Sequence, residues 1–599
     1  MKTLRHLMVQ LFHTLQSHER VFTLVAAFFI GILTGYAGLA FQRLIQAFHD
    51  LSGWLPVAAE WLTPWQWPGI VVAPMLGGLI VGPLIWRFAP EAKGHGVPEV
   101  MAAVITKGGF IRPRVVLVKS LASAITIGSG GSVGREGPIV QIGATIGSTL
   151  GYLLHLPPRT MRTFVACGAA GGIAATFNAP IAGALFAVEI ILGDFGFIQL
   201  GPIITSAVTA TVVSRAVVGN FSAFEVPDYH LVNPFELIPY IGLGLLCGVV
   251  AVIFIRLLDK MEWLFERKIR IHDALKPALG GLAIGLIGLQ FPEIFGVGYE
   301  AVNAALHGNI ALELMALLVL VKLVATTITL ASGGSGGIFA PSLFLGAMTG
   351  GTVGKAVNTF FPAWSAASGA YALVGMAAMV GATTQAPITA IVIIFELTND
   401  YKIILPLMIS TIVAVLTAST LWRDSIYTHK LRRKGIDMES GPDANVLKKV
   451  RVRDVMRAEF DRVPRDLPFN FLLDQLLQSA RSHLPVVRPD GTILGVISRT
   501  IAQKFLKHRS LLRDVVIAGD VQITDFPVLL PGDNLNQAML RFNESGLREM
   551  YVLQDLSSRK LVGMVRKGDL MDAYYREIVK QSSGESFAYS INHPHRREP

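Results

Sequence analysis

The residues best suited to chemistry are a charged pair in a stretch that is otherwise almost free of charge. Arg135 and Glu136 lie in "GSGGSVGREGPIV", residues 128–140, and long apolar segments flank this stretch on both sides. A carboxylate in apolar surroundings is costly to keep unless hydrogen bonds or opposite charges stabilise it. An ionisable residue inside a membrane segment is a functional candidate by default, and Glu136 is therefore the first candidate here.

The composition places this pair in a membrane protein. Of the 599 residues, 52% are hydrophobic and 16% are charged, whereas soluble domains are about one quarter charged. Between about Val21 and Trp422, long apolar runs follow one another, and each is close to the ~20 residues that cross a bilayer core as a helix. The pattern predicts an all-α polytopic membrane domain over residues 21–430 and argues against a soluble protein with buried helices.

The flanks of this domain predict its orientation. The leader, residues 1–20, is basic and weakly amphipathic, and we expect a cytoplasmic helix ahead of a retained first membrane span. A second basic stretch, "WRDSIYTHKLRRKG", follows the last span, so both flanks are expected on the cytoplasmic side of a plasma (inner) membrane. The net charge of +10 is consistent with basic flanks near anionic lipid. It does not indicate a nucleic-acid partner, because the basic residues are not interleaved with exposed aromatic residues on a soluble face.

Two blocks of the membrane domain occur twice. Residues 119–151 and 322–354 share 15 of 33 positions at a constant offset of 203, including a lysine, the sequence "SGGS" and a proline. Residues 168–189 and 375–396 share 8 of 22 positions at an offset of 207. Ordered blocks at nearly one offset predict two homologous halves, and in transporters with inverted repeats the ion site lies between the halves.

Glycine-rich breaks occur in register in both halves, at "GSGGSVGREGP" and "ASGGSGGIFAP". Glycine allows backbone angles that interrupt a helix, and a helix that begins after the break offers unpaired N–H groups and a positive dipole end. Two such ends at membrane depth would bind an anion without a full positive charge. Close helix packing through small residues is the alternative explanation, but it does not explain why the breaks are in register.

A soluble region with its own repeat follows the membrane domain. After a polar linker, residues 431–450, the stretches 484–506 and 550–574 each read strand, turn, strand, helix, and an amphipathic helix precedes each. We expect module 1 over 451–510 and module 2 over 511–580, packed on one another because each is small to stand alone. Residues 581–599 form a polar tail that is expected to be disordered.

Three loops and the soluble region resemble a known family. "GHGVPE" at 94–99, "GREGP" at 134–138 and "GIFAP" at 337–341 are similar, in sequence and order, to the signature loops of the CLC chloride channels and chloride–proton antiporters. The soluble region resembles a tandem pair of CBS domains. The resemblance covers nearly the whole chain and implies a CLC-like inverted two-fold repeat with a cytoplasmic α/β CBS pair. It also implies a homodimer in which each subunit has its own anion pathway.

The resemblance implies roles for individual residues. Glu136 would be the gating glutamate, whose carboxylate occupies an anion position and leaves it when protonated. Burial favours the protonated form, whereas N–H groups and Arg135 favour the carboxylate, so such a glutamate can change protonation near neutral pH. Backbone amides would bind the anion, those of Arg135, Glu136, Gly137 and Ala340 at an outer position and those of Ile338 and Phe339 at a central one. The Tyr427 hydroxyl would also contact the central anion, unless Tyr427 is only an interfacial aromatic anchor.

The sequence departs from the family pattern at two places in the membrane domain. In the loop from Gly94 to Gly96, His95 stands where the family usually has a serine whose hydroxyl meets the central anion. A histidine N–H can bind an anion too, but the ring could also turn aside, so selectivity between chloride, nitrate and larger oxyanions stays open. Ile190 stands where family exchangers often have a second glutamate on the proton route. Its neighbour Glu189 matches Glu396 of the other half, and both are interpreted as structural.

The CBS pair keeps only part of the family's nucleotide site. That site often has a small hydroxyl residue and, three positions later, an aspartate for the ribose. Module 1 has Ser498 but Ile501, and module 2 has Asp569 but Arg566. Binding of an adenine nucleotide through Asp569 is therefore one hypothesis, and a purely dimerising or structural role is the other.

The leading hypothesis for function is exchange of chloride for protons, with Glu136 as the proton-linked gate. A passive gated chloride channel is the close alternative, because Ile190 removes a proton relay. A CBS-regulated divalent-cation channel would want paired carboxylates along a pore, whereas this chain has lone glutamates. The two cysteines, Cys167 and Cys247, lie in separate apolar segments and do not indicate a metal site. We expect that the protein requires no cofactor and is not an enzyme.

Overall fold

The structure is a computed structural model in which the chain divides into two units, Met1–Ile436 and Asp437–Pro599. It describes residues 19–60, 67–194, 196–220, 224, 226–227, 229, 233–362, 365–398, 401–436, 447, 450–479, 481–499, 516–573 and 576. Several sequence predictions therefore concern residues outside the described ones: most of the leader (1–20), part of the linker (431–450), Ile501 and the polar tail (581–599).

Helices make up nearly all of the described first unit. In the first half they are α1 (Glu19–Glu60), α2 (Trp67–Phe88), α3 (Val97–Thr106), α4 (Arg114–Gly128), α5 (Glu136–Leu153), α6 (Pro158–Phe177), α7 (Pro180–Phe186) and α8 (Phe197–Val218). In the second half they are α9 (Leu237–Trp263), α10 (Lys276–Gly288), α11 (Tyr299–Leu306), α12 (Leu312–Ala331), α13 (Phe339–Phe360), α14 (Ser368–Thr384), α15 (Pro387–Thr398), α16 (Ile404–Leu421) and α17 (Ile426–Arg433). Single turns of 3₁₀ helix cover Pro90–Ala92, Pro234–Glu236 and Pro292–Ile294, and π turns extend α7 over Ala187–Leu192 and α9 over Leu264–Lys268.

The first unit combines long apolar helices with short ones. Among the described residues, six segments are long and apolar enough to cross a membrane: Arg20–Gly53, Gly69–Phe88, Gln199–Val218, Pro234–Lys268, Leu312–Ala331 and Ile404–Arg433. Shorter apolar helices lie between them: Val97–Thr106, Pro180–Leu192, Lys276–Gly288 and Pro387–Thr398. The chain is therefore a multi-pass membrane protein in which several helices end among buried residues.

Reciprocal hydrogen bonds relate the two halves by an approximate two-fold axis. The N–H of Gly134 donates to the carbonyl of Gly337 at 2.8 Å, and the N–H of Gly337 donates back at 2.6 Å. Matching bonds run from backbone N–H to hydroxyl, from Ser132 to Thr329 at 3.2 Å and from Ser335 to Thr126 at 3.3 Å. The bridge between the two glycines is antiparallel, so equivalent segments run in opposite directions, as an inverted repeat requires.

Glycines also bring equivalent helices of the two halves into direct contact. A side chain on Gly78 of α2 would overlap the backbone of Pro277 in α10, and one on Gly281 of α10 would overlap the backbone of Pro74 in α2. Small residues allow such close backbone approach between membrane helices. Some glycines, such as Gly78 and Gly281, therefore allow close helix packing, whereas the glycines of the in-register breaks interrupt helices.

The second unit contains two similar α/β modules. Module 1 has β1 (Val463–Pro464), α18 (Phe469–Gln478), β2 (His483–Val487) and β3 (Ile493–Ser498), and module 2 has β4 (Val528–Leu529), α19 (Leu535–Ser545), β5 (Glu549–Leu553) and β6 (Leu561–Arg566). Single 3₁₀ turns cover Val452–Asp454 and Ala518–Asp520. In each three-stranded sheet the short first strand pairs parallel to the second, which pairs antiparallel to the third.

The two modules pack against each other through their antiparallel strands. Ile493 donates its N–H to Arg559, and Leu561 donates its N–H to Gly491, both at 3.0 Å. Buried apolar residues from both modules form one cluster there: Val487, Ile493, Val496, Tyr551, Leu553, Leu561 and Met564. Because each module buries part of its apolar surface on the other, the pair is stabilised as one body.

Candidate functional site

Three loops meet at the interface between the two halves, and we call them the loop cluster: residues 94–96, 134–137 and 334–340. Gly94 donates its N–H to Gly334 at 3.2 Å and accepts the N–H of Gly336 at 3.3 Å. The reciprocal bonds of Gly134 and Gly337 join the other two loops. The structure thus brings together the nine loop residues singled out in the sequence: Gly94, His95, Gly96, Arg135, Glu136, Gly137, Ile338, Phe339 and Ala340.

The first loop needs glycine at both of its ends. Gly94 and Gly96 have φ angles of 76° and 78°, in the left-handed region that glycine adopts without steric cost. A side chain on Gly137 would overlap the carbonyl of His95. The loop is therefore pressed directly onto the start of α5, with His95 held between two glycines.

Two helix N-termini converge in the loop cluster. Helix α5 begins at Glu136 and α13 begins at Phe339, and neither has a side-chain cap on its own Ncap residue. The first N–H groups of a helix have no partner within the helix and carry the positive end of its dipole. Two such ends in one buried place favour a negatively charged group between them.

The side chain of Glu136 lies in this place. The residue is 1% exposed, and its Oε2 accepts the N–H of Ala340 in α13 at 3.3 Å. Its Oε1 accepts the hydroxyl of Tyr299 at 2.8 Å. A side chain on Gly134 would overlap the Glu136 carboxylate, so the glycine leaves the room in which the carboxylate lies. The carboxylate occupies the position that the helix ends make suitable for an anion.

Tyr299 is a site residue that sequence reasoning missed. Its ring lies 5.4 Å below the guanidinium carbon of Arg135 and 4.8 Å from the ring of Phe224. A weak signal for it exists, because residues 91–100 and 293–302 share 4 of 10 positions at an offset of 202. This third repeated block makes the loop before Tyr299 the counterpart of the loop that carries His95.

Two further side chains that the sequence singled out lie side by side near the first loop. His95 and Tyr427 are each 1% exposed, and their ring centroids lie 6.0 Å apart. Among the described residues, the His95 Nδ1 has no hydrogen-bond partner although it is buried. The amine of Lys430 approaches this loop closely, since it lies 2.9 Å from where a Cβ on Gly94 would be. Lys430 also pairs with Glu262 at 3.6 Å, so the positive charge beside this loop is partly balanced.

An apolar wall borders the loop cluster on another side. The ring of Phe339 lies 5.7 Å from that of Phe177 and 6.3 Å from that of Phe186. Ile338 and Phe339 are each 1% exposed. This wall excludes water from the start of α13, which strengthens electrostatic interactions there.

Two buried lysines brace equivalent loops, and sequence reasoning noted them only as part of the repeat. Lys119 and Lys322 are both fully buried. Each donates to two carbonyls, Lys119 to Ala92 at 3.0 Å and Gly94 at 2.7 Å, and Lys322 to Ile294 at 2.9 Å and Gly296 at 3.2 Å. The lysines thus fix the backbone that precedes α3 and α11.

A buried isoleucine stands where family exchangers often have a second glutamate on the proton route. Ile190 lies in the π turn Ala187–Leu192 and is 4% exposed. Among the described residues, no group of three or more His, Cys, Asp or Glu side chains is placed so that it could hold a metal ion.

In module 2, Asp569 is already engaged by an arginine. The Nε and Nη2 of Arg457 donate to the two carboxylate oxygens of Asp569 at 3.1 and 2.6 Å. The carboxylate also accepts the N–H of Arg566 at 3.3 Å. A two-point ion pair of this kind is strong and specific in geometry, so a ribose hydroxyl would have to compete with Arg457 for Asp569.

The family models that match the chain cover both units. The model described as voltage gated chloride channel matches residues 77–419, and the CBS domain model matches residues 452–507 and 518–576. The matched ranges include all three loops of the loop cluster.

Two relatives and one solved structure are similar to this chain over most of their own length. The chain is 37% identical to a chloride channel protein named ClcB-like from Ralstonia nicotianae, over 70% of this chain and 99% of the relative. It is 35% identical to an H(+)/Cl(-) exchange transporter named ClcA from Cronobacter sakazakii, over 68% of this chain and 89% of the relative. A solved structure of a slow cyanobacterial Cl-/H+ antiporter is 29% identical with a TM-score of 0.64, covering 69% of this chain and 97% of the antiporter.

Proposed function

Because the chain belongs to the voltage-gated chloride channel (CLC) family, with two CBS domains, we propose that it exchanges chloride for protons across a membrane. Its relatives include proteins named as H(+)/Cl(-) exchange transporters, and the antiporter structure supports the same activity at 29% identity. Anion transport with Glu136 as the gate explains both the charged pair and the glycine-rich breaks in the sequence.

One observation carries the proposal. The Glu136 carboxylate is buried and accepts the N–H of Ala340 at the start of α13, where an anion would find the positive end of that helix. A carboxylate and a chloride ion would compete for the same donors. The side chain and the transported ion therefore exclude each other from the outer anion position, formed by the amides of Arg135, Glu136, Gly137 and Ala340.

This competition couples chloride to protons. When Glu136 takes up a proton it becomes a weaker acceptor and a neutral group, so it leaves the N–H groups and chloride takes its place. When chloride leaves, the side chain returns and releases the proton. Proton and chloride occupy the pathway in alternation, and opposite movements of the two ions follow.

A second anion position would lie deeper, at the other end of the loop cluster. We infer that the amides of Ile338 and Phe339, the loop from Gly94 to Gly96, and the Tyr427 hydroxyl bind the central anion. The buried His95 Nδ1 without a partner supports a direct hydrogen bond from this ring to the anion, in place of the usual serine hydroxyl. Lys430 would add positive charge at the same end.

For the assembly, we propose a homodimer in a plasma (inner) membrane with the N-terminus and the CBS pair in the cytoplasm. All residues of the loop cluster come from one chain, which supports a complete anion pathway in each subunit. The basic stretches before the first span and after the last support the orientation. The bilayer itself is the partner of the exposed apolar faces of the long helices, such as Phe29 and Leu320.

For the CBS pair, we propose a structural or dimerising role, with adenine nucleotide as a competing ligand at Asp569. The ion pair with Arg457 favours the structural role over nucleotide binding, because the carboxylate that would bind the ribose already has a two-point partner. No cofactor is assigned to the transport reaction itself.

A passive gated chloride channel is the second candidate, and a specific observation favours it. Ile190 is buried and apolar where a proton relay is expected. A proton would then have to travel through water between titratable groups, and we expect coupling weaker than in family members that have both glutamates.

Flux measurements in liposomes separate the two candidates. Purified protein is reconstituted, a chloride gradient is imposed, the voltage is clamped with a potassium ionophore, and external pH is recorded. A potential of 100 mV is worth about 2.3 kcal/mol per charge, so even loose coupling is measurable. Uphill proton movement that is lost in Glu136→Gln supports exchange. Brisk chloride flux without proton movement would make the protein a channel, and an unchanged pH profile in Glu136→Gln would refute the gate.

A further inference from the structure

We propose that Tyr299 is a positioning residue that anchors the Glu136 carboxylate in the anion pathway and thereby sets the pH at which the pathway opens. The inference rests on the proposed function, because it assigns a partner to the proposed gate. Tyr299 begins α11 in the second half, whereas Glu136 begins α5 in the first, so the anchor joins the two halves across the site.

The hydrogen bonds of Glu136 make the tyrosine its closest partner from another element. The Tyr299 hydroxyl lies 2.8 Å from Oε1, whereas the N–H of Ala340 lies 3.3 Å from Oε2. A hydroxyl that donates to a carboxylate forms a charge-assisted bond, which is stronger than a bond between neutral groups. Protonation of the carboxyl removes that extra strength. The tyrosine therefore stabilises the docked, charged state of Glu136 more than the protonated one.

The tyrosine is itself held in place. It follows Gly298, which has a φ of 81° and is the Ncap residue of α11. The edge of Phe224 packs on its ring, and the Arg135 guanidinium lies over the ring at 5.4 Å. Because the ring is fixed on two sides, the hydroxyl is directed at the carboxylate with little loss of conformational entropy.

The other groups around the carboxylate do not replace this bond. Among the described residues, the charged and titratable side chains that interact with Glu136 are Arg135 on its own helix cap, Tyr299 from α11 and Tyr427 from α17. Replacing the hydroxyl of Tyr299 by hydrogen leaves the charge of Arg135 unchanged and keeps a ring beneath it. Tyr299→Phe therefore removes the hydroxyl with its bond to the carboxylate and its polar contact with Arg135, but it removes no charge.

The test compares chloride flux against pH in liposomes for Tyr299→Phe and for Tyr240→Phe, a buried tyrosine in α9 that packs on Tyr371. Losing the anchor makes the docked carboxylate less favourable, so protonation releases it at higher pH. We expect the half-activation pH of Tyr299→Phe to rise by about one pH unit, the shift that corresponds to a roughly tenfold change in a protonation equilibrium. Tyr240→Phe should keep the wild-type profile.

The same pair of variants in a Glu136→Gln background distinguishes a gate anchor from a general structural role. If Tyr299 acts through the carboxylate, Tyr299→Phe changes nothing further once the carboxylate is gone. An equal effect of Tyr299→Phe in both backgrounds would overturn the proposal. A wild-type pH profile for Tyr299→Phe would also overturn it, provided that the pH profile of Glu136→Gln alone is flat. A wild-type profile for Glu136→Gln would instead refute the proposed function. If flux is too slow to measure, chloride calorimetry at pH 7.5 is the second readout: tighter binding in Tyr299→Phe supports the anchor, and unchanged binding overturns it.

Discussion

Glu189 and Glu396 each cap a helix in the opposite half of the membrane unit. The carboxylate of Glu189 accepts the N–H groups of Ile388 at 3.2 Å and Thr389 at 2.7 Å in α15, and that of Glu396 accepts those of Ile181 at 3.0 Å and Ala182 at 2.7 Å in α7. Each carboxylate satisfies orphan N–H groups at the positive end of a helix dipole. The reciprocity agrees with the interpretation of both glutamates as structural parts of the repeat.

We expect Glu189→Gln and Glu396→Gln to destabilise the membrane unit to a similar degree. An amide has one acceptor oxygen where the carboxylate has two, and hydrogen bonds to a charged group contribute about 1.5–3 kcal/mol each. The midpoint of thermal unfolding in detergent should fall for both variants. Glu313→Gln, at an exposed first-turn position of α12, is the matched control, and a midpoint as low as that of Glu396→Gln in this control would contradict the capping role.

His95→Ala should weaken chloride binding and change the preference between chloride and nitrate. If the ring donates to the central anion, its loss removes a hydrogen bond of about 1 kcal/mol, and chloride affinity falls about fivefold. Calorimetry with chloride and with nitrate measures both effects. His49→Ala, at an exposed position of α1, controls for the loss of any histidine. Equal affinities in His95→Ala and wild type would mean that the ring turns aside and only backbone amides count.

Arg457→Ala should release Asp569 for other partners. With the two-point ion pair removed, we expect adenine nucleotide to bind to the full-length protein more tightly than to wild type, by calorimetry in detergent. The double variant Arg457→Ala with Asp569→Ala is the control and should lose the gain. Absence of nucleotide binding in every variant would leave the structural role as the function of the CBS pair.

The sequence predicted the parts of the fold that depend on local or repeated patterns. The two halves, the helix starts after the glycine-rich breaks and the strand pairs of both modules follow from periodicity and internal comparison, and the family resemblance seen in three loops is confirmed. Helix α17 continues to Arg433, a few residues past position 431, where the basic residues were interpreted as the start of a linker.

Contacts between distant parts of the chain were harder to predict. Tyr299 and Glu136 are 163 positions apart, and Arg457 and Asp569 are 112 apart. No local pattern relates such pairs. The loop before Tyr299 is the exception, since it belongs to a third repeated block with only 4 of 10 positions shared.

The reciprocal bonds of Gly134 and Gly337 have a consequence for biosynthesis. While the ribosome has delivered only the first half to the bilayer, the N–H of Gly134 and the carboxylate of Glu189 are still without their native partners, which reside more than 190 residues downstream. An unsatisfied polar group in the bilayer costs several kcal/mol. The newly inserted first half is therefore a poorly satisfied intermediate until the second half docks on it.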